Sequence, residues 1–271
     1  MKIYLFRLSL TQRAQPGLFD DREFPTRQSF LIKHLSRSFE FNYWGEQTVR
    51  YEFTQEDDEV ISGAVCKWVS EDQEADPSDP FAKSEGGRWL KASFFFNSEE
   101  HQQVFGIEHN TRVGAPSAIL AGIARYINEQ TESYPYHIEV SEINEKGSFL
   151  KTVGEYPDPV TTLTFRFVVP NPPNVEEETR EALKKLGEAT GAEEATETLK
   201  SSKGIEVESE YVNDAVEYIE GGGGSVVAKN GKTIIFDSEN RVRTENPPEA
   251  AKPKGQPITG LANMVKALLR K

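Results

Sequence analysis

The sequence predicts an α+β protein of two units, each a mainly antiparallel sheet with helices packed on it, followed by a C-terminal tail helix. Most apolar runs alternate with polar residues, the pattern of antiparallel strands with one solvated face. At 271 residues the chain is long enough for two domains. Between them the turn-rich stretch Gly154–Pro159 precedes Val160–Val169, a strongly β-branched run that opens a second unit. The expected limits are 1–155 and 156–244 for the two α+β domains, 245–257 for a linker and 258–271 for the tail helix.

The elements follow in order. Lys2–Leu10 alternates as a first strand, and Thr11–Pro25 has no periodicity and reads as a loop. Thr26 caps a helix over Arg27–Ser36, with Phe30, Leu31, His34 and Leu35 on one face. Phe39–Tyr43, Thr48–Thr54 and Val60–Val69 are strands, the first two flanking a turn at Trp44-Gly45. Acidic Glu71–Gly87, with Pro77, Pro80 and two glycines, reads as a long exposed loop. Trp89–Phe96 and Gln102–Glu108 are strands. Pro116 opens a helix to Gln130 whose buried stripe is Ile119, Leu120, Ile123, Tyr126 and Ile127. His137–Ile143 is a strand and Ser148–Val153 a short helix.

In the second unit, three prolines stop the strand Val160–Val169, and Asn174 caps a helix over Val175–Gly187. Ala192–Lys200 reads as a weaker helix and Ile205–Val207 as a short strand. Glu210–Ile219 is an amphipathic helix closed by Gly221–Gly224. Ser225–Lys229 and Thr233–Asp237 form a hairpin around Asn230-Gly231. The tail, 258–271, puts Ile258, Leu261, Met264, Val265, Leu268 and Leu269 on one side and Lys266, Arg270 and Lys271 opposite. No internal repeat is present.

Charge bears on function. The net charge is −13, yet it changes sign along the chain. Between Glu176 and Glu220 there are 14 acidic residues against 5 basic ones, whereas from Lys229 to Lys271 there are 9 basic against 4 acidic. Such a chain has a local surface able to meet a polyanion, while its acidity argues against coating nucleic acid with the whole surface. No run of 18 apolar residues occurs and the N-terminus is a poor signal peptide. The lone Cys66 fits a reducing, cytoplasmic setting.

No catalytic constellation stands out. The tetraglycine is not followed by the Gly-Lys-Ser/Thr of a phosphate loop, and a helix-to-strand turn accounts for it better. Arg27 and His34 match the loose Arg-x(4–6)-His spacing of HEPN-type ribonucleases, but those domains are all-helical and this pair sits between strands. His101, His109 and His137 are far apart without ligand spacing, so no metal and no cofactor is expected. The candidate nucleic-acid-binding residues are Lys229, Lys232, Arg241 and Arg243, on or beside the two hairpin strands, where they would neutralise phosphates without reading bases. Protection of an edge strand explains the same charges equally well. The candidate partner-binding residues are Leu261, Met264, Val265 and Leu268 of the tail.

From Val160 to Arg243 the order of strand, helix, the short Gly204-Ile205-Glu206-Val207 strand, helix and hairpin resembles the RexA exclusion protein of lambdoid phages and the KwaB-type subunit of the Kiwa antiphage system. The resemblance implies a dimeric, non-enzymatic DNA binder that senses phage replication and controls a membrane effector. The expected function is therefore a defence or exclusion protein, a homodimer binding DNA without sequence specificity or regulating a partner effector, with no insertion of its own into the membrane. The rivals are a nuclease or ribonuclease toxin, and an acidic DNA mimic acting through Asp57, Asp58, Glu71 and Glu74.

Overall fold

The fold is given by a computed structural model. It describes residues 2–12, 24–45, 47–57, 60–73, 84–97, 103–168, 182–183, 185–186, 189–192, 194–240 and 243–245. Within them the protein is α+β, built on two antiparallel sheets.

The first sheet contains β1 (Ile3–Gln12), β2 (Phe39–Trp44), β3 (Gln47–Asp57), β4 (Val60–Gln73), β5 (Ser84–Asn97), β6 (Val104–Glu108) and β7 (Tyr136–Glu142). A two-residue strand, β12 (Thr244–Glu245), returns to pair with β1. The order is β12-β1-β6-β5-β4-β3-β2, with β7 also on β1. Two helices, α1 (Arg27–Leu35) and α2 (Pro116–Gln130), cover one face. The Thr26 side chain accepts the Ser29 N–H and so caps α1. The apolar spacing of both helices meets the inward residues of the strands, giving one core of Phe30, Leu31, Leu120 and Ile123 against Phe6, Leu8, Phe94 and Phe105. Rings organise it: Phe39 stacks on Tyr51 at 4.6 Å and on Tyr126 at 4.5 Å. The buried Tyr51 hydroxyl donates to the Leu35 carbonyl. Asn128 of α2 reaches β7, accepting the Ile138 N–H and donating to the Ile138 carbonyl, which blunts that sheet edge.

The second sheet runs β11 (Thr233–Asp237), β10 (Gly224–Asn230), β8 (Thr162–Val168), β9 (Glu194–Lys200). Its inward residues Leu163, Phe165, Phe167, Val226 and Phe236 meet α3 (Ser148–Gly154) and α4 (Glu210–Tyr218). Although α3 lies before residue 155, its Phe149 and Val153 belong to this second core.

Three sequence expectations are corrected. Ala192–Lys200 is strand β9 rather than a helix: Ala195 and Leu199 turn inward and Thr196 and Thr198 outward, and pairing with β8 outweighs the helix propensity of its Glu and Ala. Ile205–Val207 is not a strand; the Ile205 N–H is taken by the Val160 carbonyl, and both side chains pack against the second core. Glu71–Gly87 is not all loop, because β4 and β5 stay paired from Val69↔Arg88 to Gln73↔Ser84. Residues 74–83, most of the expected helix Val175–Gly187, the linker beyond Glu245 and the tail helix 258–271 lie outside the described residues. No described helix is long and apolar enough to cross a membrane.

On the other face of the first sheet Ile3, Leu5, Val60, Phe95, Val104 and Ile143 form a small cluster. Beside it Arg7 packs on Gly222. The Glu220 carboxylate accepts the Gly147 N–H at 2.9 Å, tying the turn after α4 to the start of α3.

Candidate nucleic-acid interface

Among the described residues, helices cover one face of the second sheet. On its open face, register puts Lys229 of β10 opposite Thr162 of β8, and Thr162 opposite Lys200 of β9. Two strand spacings bring the Lys229 and Lys200 backbones to about 10 Å. Lys203 follows in the next turn and Lys232 occupies the hairpin turn beside Gly231, whose φ of 54° suits glycine. Lys200, Lys203 and Lys232 are exposed and Lys229 is half-buried. None of the four makes an ion pair among the described residues.

Hydrogen bonds fix this corner. The Thr161 N–H donates to the Lys229 carbonyl at 2.9 Å, and its Oγ1 accepts the Gly231 N–H at 2.9 Å. The Ser201 N–H donates to the Thr161 carbonyl, the Lys203 N–H to Ser201 Oγ, and Asn230 Nδ2 to the Pro159 carbonyl. Four ammonium groups and several hydroxyls thus sit at one rigid end of the sheet, with exposed Asp158 the acidic residue preceding Pro159. Such a group neutralises phosphates without reading bases.

The opposite end of the same sheet is acidic. A cleft of about 430 Å³ separates β7 from the second sheet, lined by Glu139, Glu142, Glu194 and Glu239 with Arg166. Arg166 is committed to Glu194: its Nε donates to Oε2 at 2.9 Å and its Nη2 to Oε1. Burial, then Glu239 and Asp237, push the Glu142 carboxyl up to about 7, and its Oε2 is buried with no hydrogen-bond partner. Burial likewise raises Glu220. Arg7, 8% exposed and with no partner at Nε, is pushed down to about 10 by burial.

Of the four residues the sequence nominates, Lys229 and Lys232 come together at the hairpin end. Arg243 lies beyond the other end of β11, where its backbone bonds Ile143 and Leu5 of the first unit. Arg241 and the tail residues Leu261, Met264, Val265 and Leu268 lie outside the described residues. Lys200 and Lys203 escape sequence reading because Ala192–Lys200 looks helical. The alternation of Ala195, Thr196, Thr198 and Leu199 is the signal that places Lys200 on the open face.

The other candidates do not converge. Arg27 and His34 are seven residues apart on α1, about 10 Å along its axis. His34 packs at a tilt against Phe30 at 4.7 Å, and burial, then Lys33 and Arg37, lower its pKa. His109 packs on Tyr4, and His101 lies outside the described residues. Among the described residues no group of three His, Cys, Asp or Glu is placed to hold a metal. Asp57 pairs with Val60 at the start of β4, whereas Glu71 lies eleven residues further along, about 36 Å away. Asp58 and Glu74 lie outside the described residues.

The tetraglycine is structural. Gly222, at φ 88°, lies against Arg7, and a Cβ on Gly224, at φ 145°, would stand 1.8 Å from the Arg166 carbonyl oxygen.

The molecule is thus an α+β protein of two antiparallel sheets with a lysine-rich corner and an acidic cleft at opposite ends of the second. Residues 43–257 match the family described as Domain of unknown function (DUF4747), well over half the chain. The chain belongs to that family. No curated protein and no solved structure matches it.

Proposed function

We propose that this chain is a non-enzymatic, cytoplasmic protein that holds DNA without reading its sequence, and that it serves phage exclusion or a related defence by regulating a partner effector. The observation that carries the DNA reading is the row Lys229, Thr162, Lys200 across three strands, with Lys203 and Lys232 beside it and none of these lysines in an ion pair among the described residues. In a chain of net −13, four cations gathered on one rigid corner form a directed polyanion contact. The acidic cleft at the far end of the sheet turns a duplex toward that corner. The defence role rests on the resemblance in element order to phage-exclusion proteins.

Fluorescence anisotropy with two duplexes of unrelated sequence, at low salt and with Mg²⁺ or Mn²⁺ present, tests this reading. Both duplexes bind with similar affinity and stay intact, and replacing Lys200, Lys203, Lys229 and Lys232 by Glu abolishes binding while far-UV circular dichroism is unchanged. Cleavage of either duplex would make the protein a nuclease instead. Absence of binding by the parent chain would end the DNA reading.

A further inference from the structure

The acidic cleft of about 430 Å³ has the volume of a small-molecule site. Its walls come from the end of β7, the end of β8, the start of β9, the start of β10 and the turn after β11. Four carboxylates face the single guanidinium of Arg166, and Glu194 already holds that guanidinium. Two polar groups on the wall lack partners. Glu142 Oε2 is buried and accepts no hydrogen bond. Ser141, only 9% exposed, lines the same cleft, and its hydroxyl bonds to nothing among the described residues.

Buried polar groups are ordinarily satisfied, so an orphan acceptor beside an unbonded hydroxyl marks a place for an outside donor. The surrounding carboxylates select a donor that carries positive charge. Val140 and Val168 supply the apolar part of the wall, against which methylene groups pack. The match is an ammonium on a short aliphatic chain. A metal ion fits less well, because no three ligating side chains converge among the described residues.

We propose that this cleft binds a linear polyamine, one ammonium held by Glu142 and Ser141, a second reaching Glu239, and the methylenes lying along Val140 and Val168. The charged groups around Glu142 are Glu139 on its own strand, Arg166 of β8, Glu194 of β9, and Asp237 and Glu239 at the end of β11. Burial, then Glu239 and Asp237, push the Glu142 carboxyl up to about 7. A bound ammonium needs the ionised form, so affinity rises as pH rises through 7. The site is separate from the lysine corner and stands or falls without DNA binding.

Isothermal titration of the full chain with spermidine, at low salt and without DNA, tests it. One spermidine binds per chain at pH 8, binding is about tenfold weaker at pH 5.5, and equimolar Mg²⁺ does not displace it. Glu142→Gln weakens binding about tenfold and removes most of the pH dependence. Glu239→Gln, an exposed change that spares the fold, weakens it about threefold. Glu206→Gln with Glu208→Gln removes charge from an exposed turn outside the cleft and changes the affinity less than about twofold. No binding by the parent overturns the proposal. So does displacement by equimolar Mg²⁺, or a loss with the Glu206 and Glu208 changes as large as with Glu142→Gln, since either shows diffuse attraction of cations to an acidic chain.

Discussion

Two ionisable residues between the units carry unmatched burial. Glu142 titrates near 4.5 in the unfolded chain and about 7 in the fold. The folded state therefore binds its proton more tightly, so Glu142's contribution is fully present below pH 4.5 and is lost as pH rises through 7. Because the group is half-exposed, screening holds the loss to about 1–2 kcal/mol. Urea midpoints at pH 5 and 8 should show the parent less stable at the higher pH and Glu142→Gln with a smaller drop, the remainder owed to Glu220. Equal drops in the two proteins would remove Glu142 as the source. Arg7 gives the converse test. Its Nε is buried without a hydrogen-bond partner and no carboxylate pairs with it among the described residues, so Arg7→Met should leave stability unchanged or raise it, whereas Phe6→Ala in the adjacent core should cost about 3–5 kcal/mol. An Arg7→Met variant weakened as much as Phe6→Ala would mean that the guanidinium is satisfied.

At the scale of elements, close approach explains more than local preference. Gly224 begins β10 where a Cβ would collide with the Arg166 carbonyl at 1.8 Å. Gly224→Ala should therefore cost at least ~2 kcal/mol by thermal or urea unfolding, while Gly221→Ala, which meets nothing within 4 Å, should cost little. Similar losses at both positions would contradict this packing of the turn. Legibility in the sequence follows the same division. The helix Pro116–Gln130 was readable because proline opens it and its apolar residues recur at helical spacing. The hairpin at Asn230-Gly231 was readable because its turn chemistry is local. β9 was not, since Glu and Ala favour a helix and only the partner strand β8 makes the segment extended. The outer parts of β4 and β5 were masked by acidic residues and Gly86-Gly87, which read as a loop until the fourteen-residue register is seen. The lysine corner was half legible for the same reason: Lys229 and Lys232 belong to a local hairpin, while Lys200 reaches them only through the long-range pairing of three strands.

Across the whole molecule, charge is sorted rather than spread. The second sheet has lysines at the Thr162 end of its open face and carboxylates at the Val168 end, where it meets the first sheet. Under the proposed function, polyanion binding by a chain of net −13 depends on that sorting, because the net charge of the chain opposes a duplex. The most direct measurement is the salt dependence of DNA affinity for the parent and for the double change Lys200→Gln with Lys229→Gln. Four lysine contacts give a slope of log affinity against log salt of about −3.6, and removing the two that share a row with Thr162 brings it to about −1.8, equally on unrelated sequences. A slope unchanged by the double substitution would contradict the account, because the row across β10, β8 and β9 would then make no contact with phosphate.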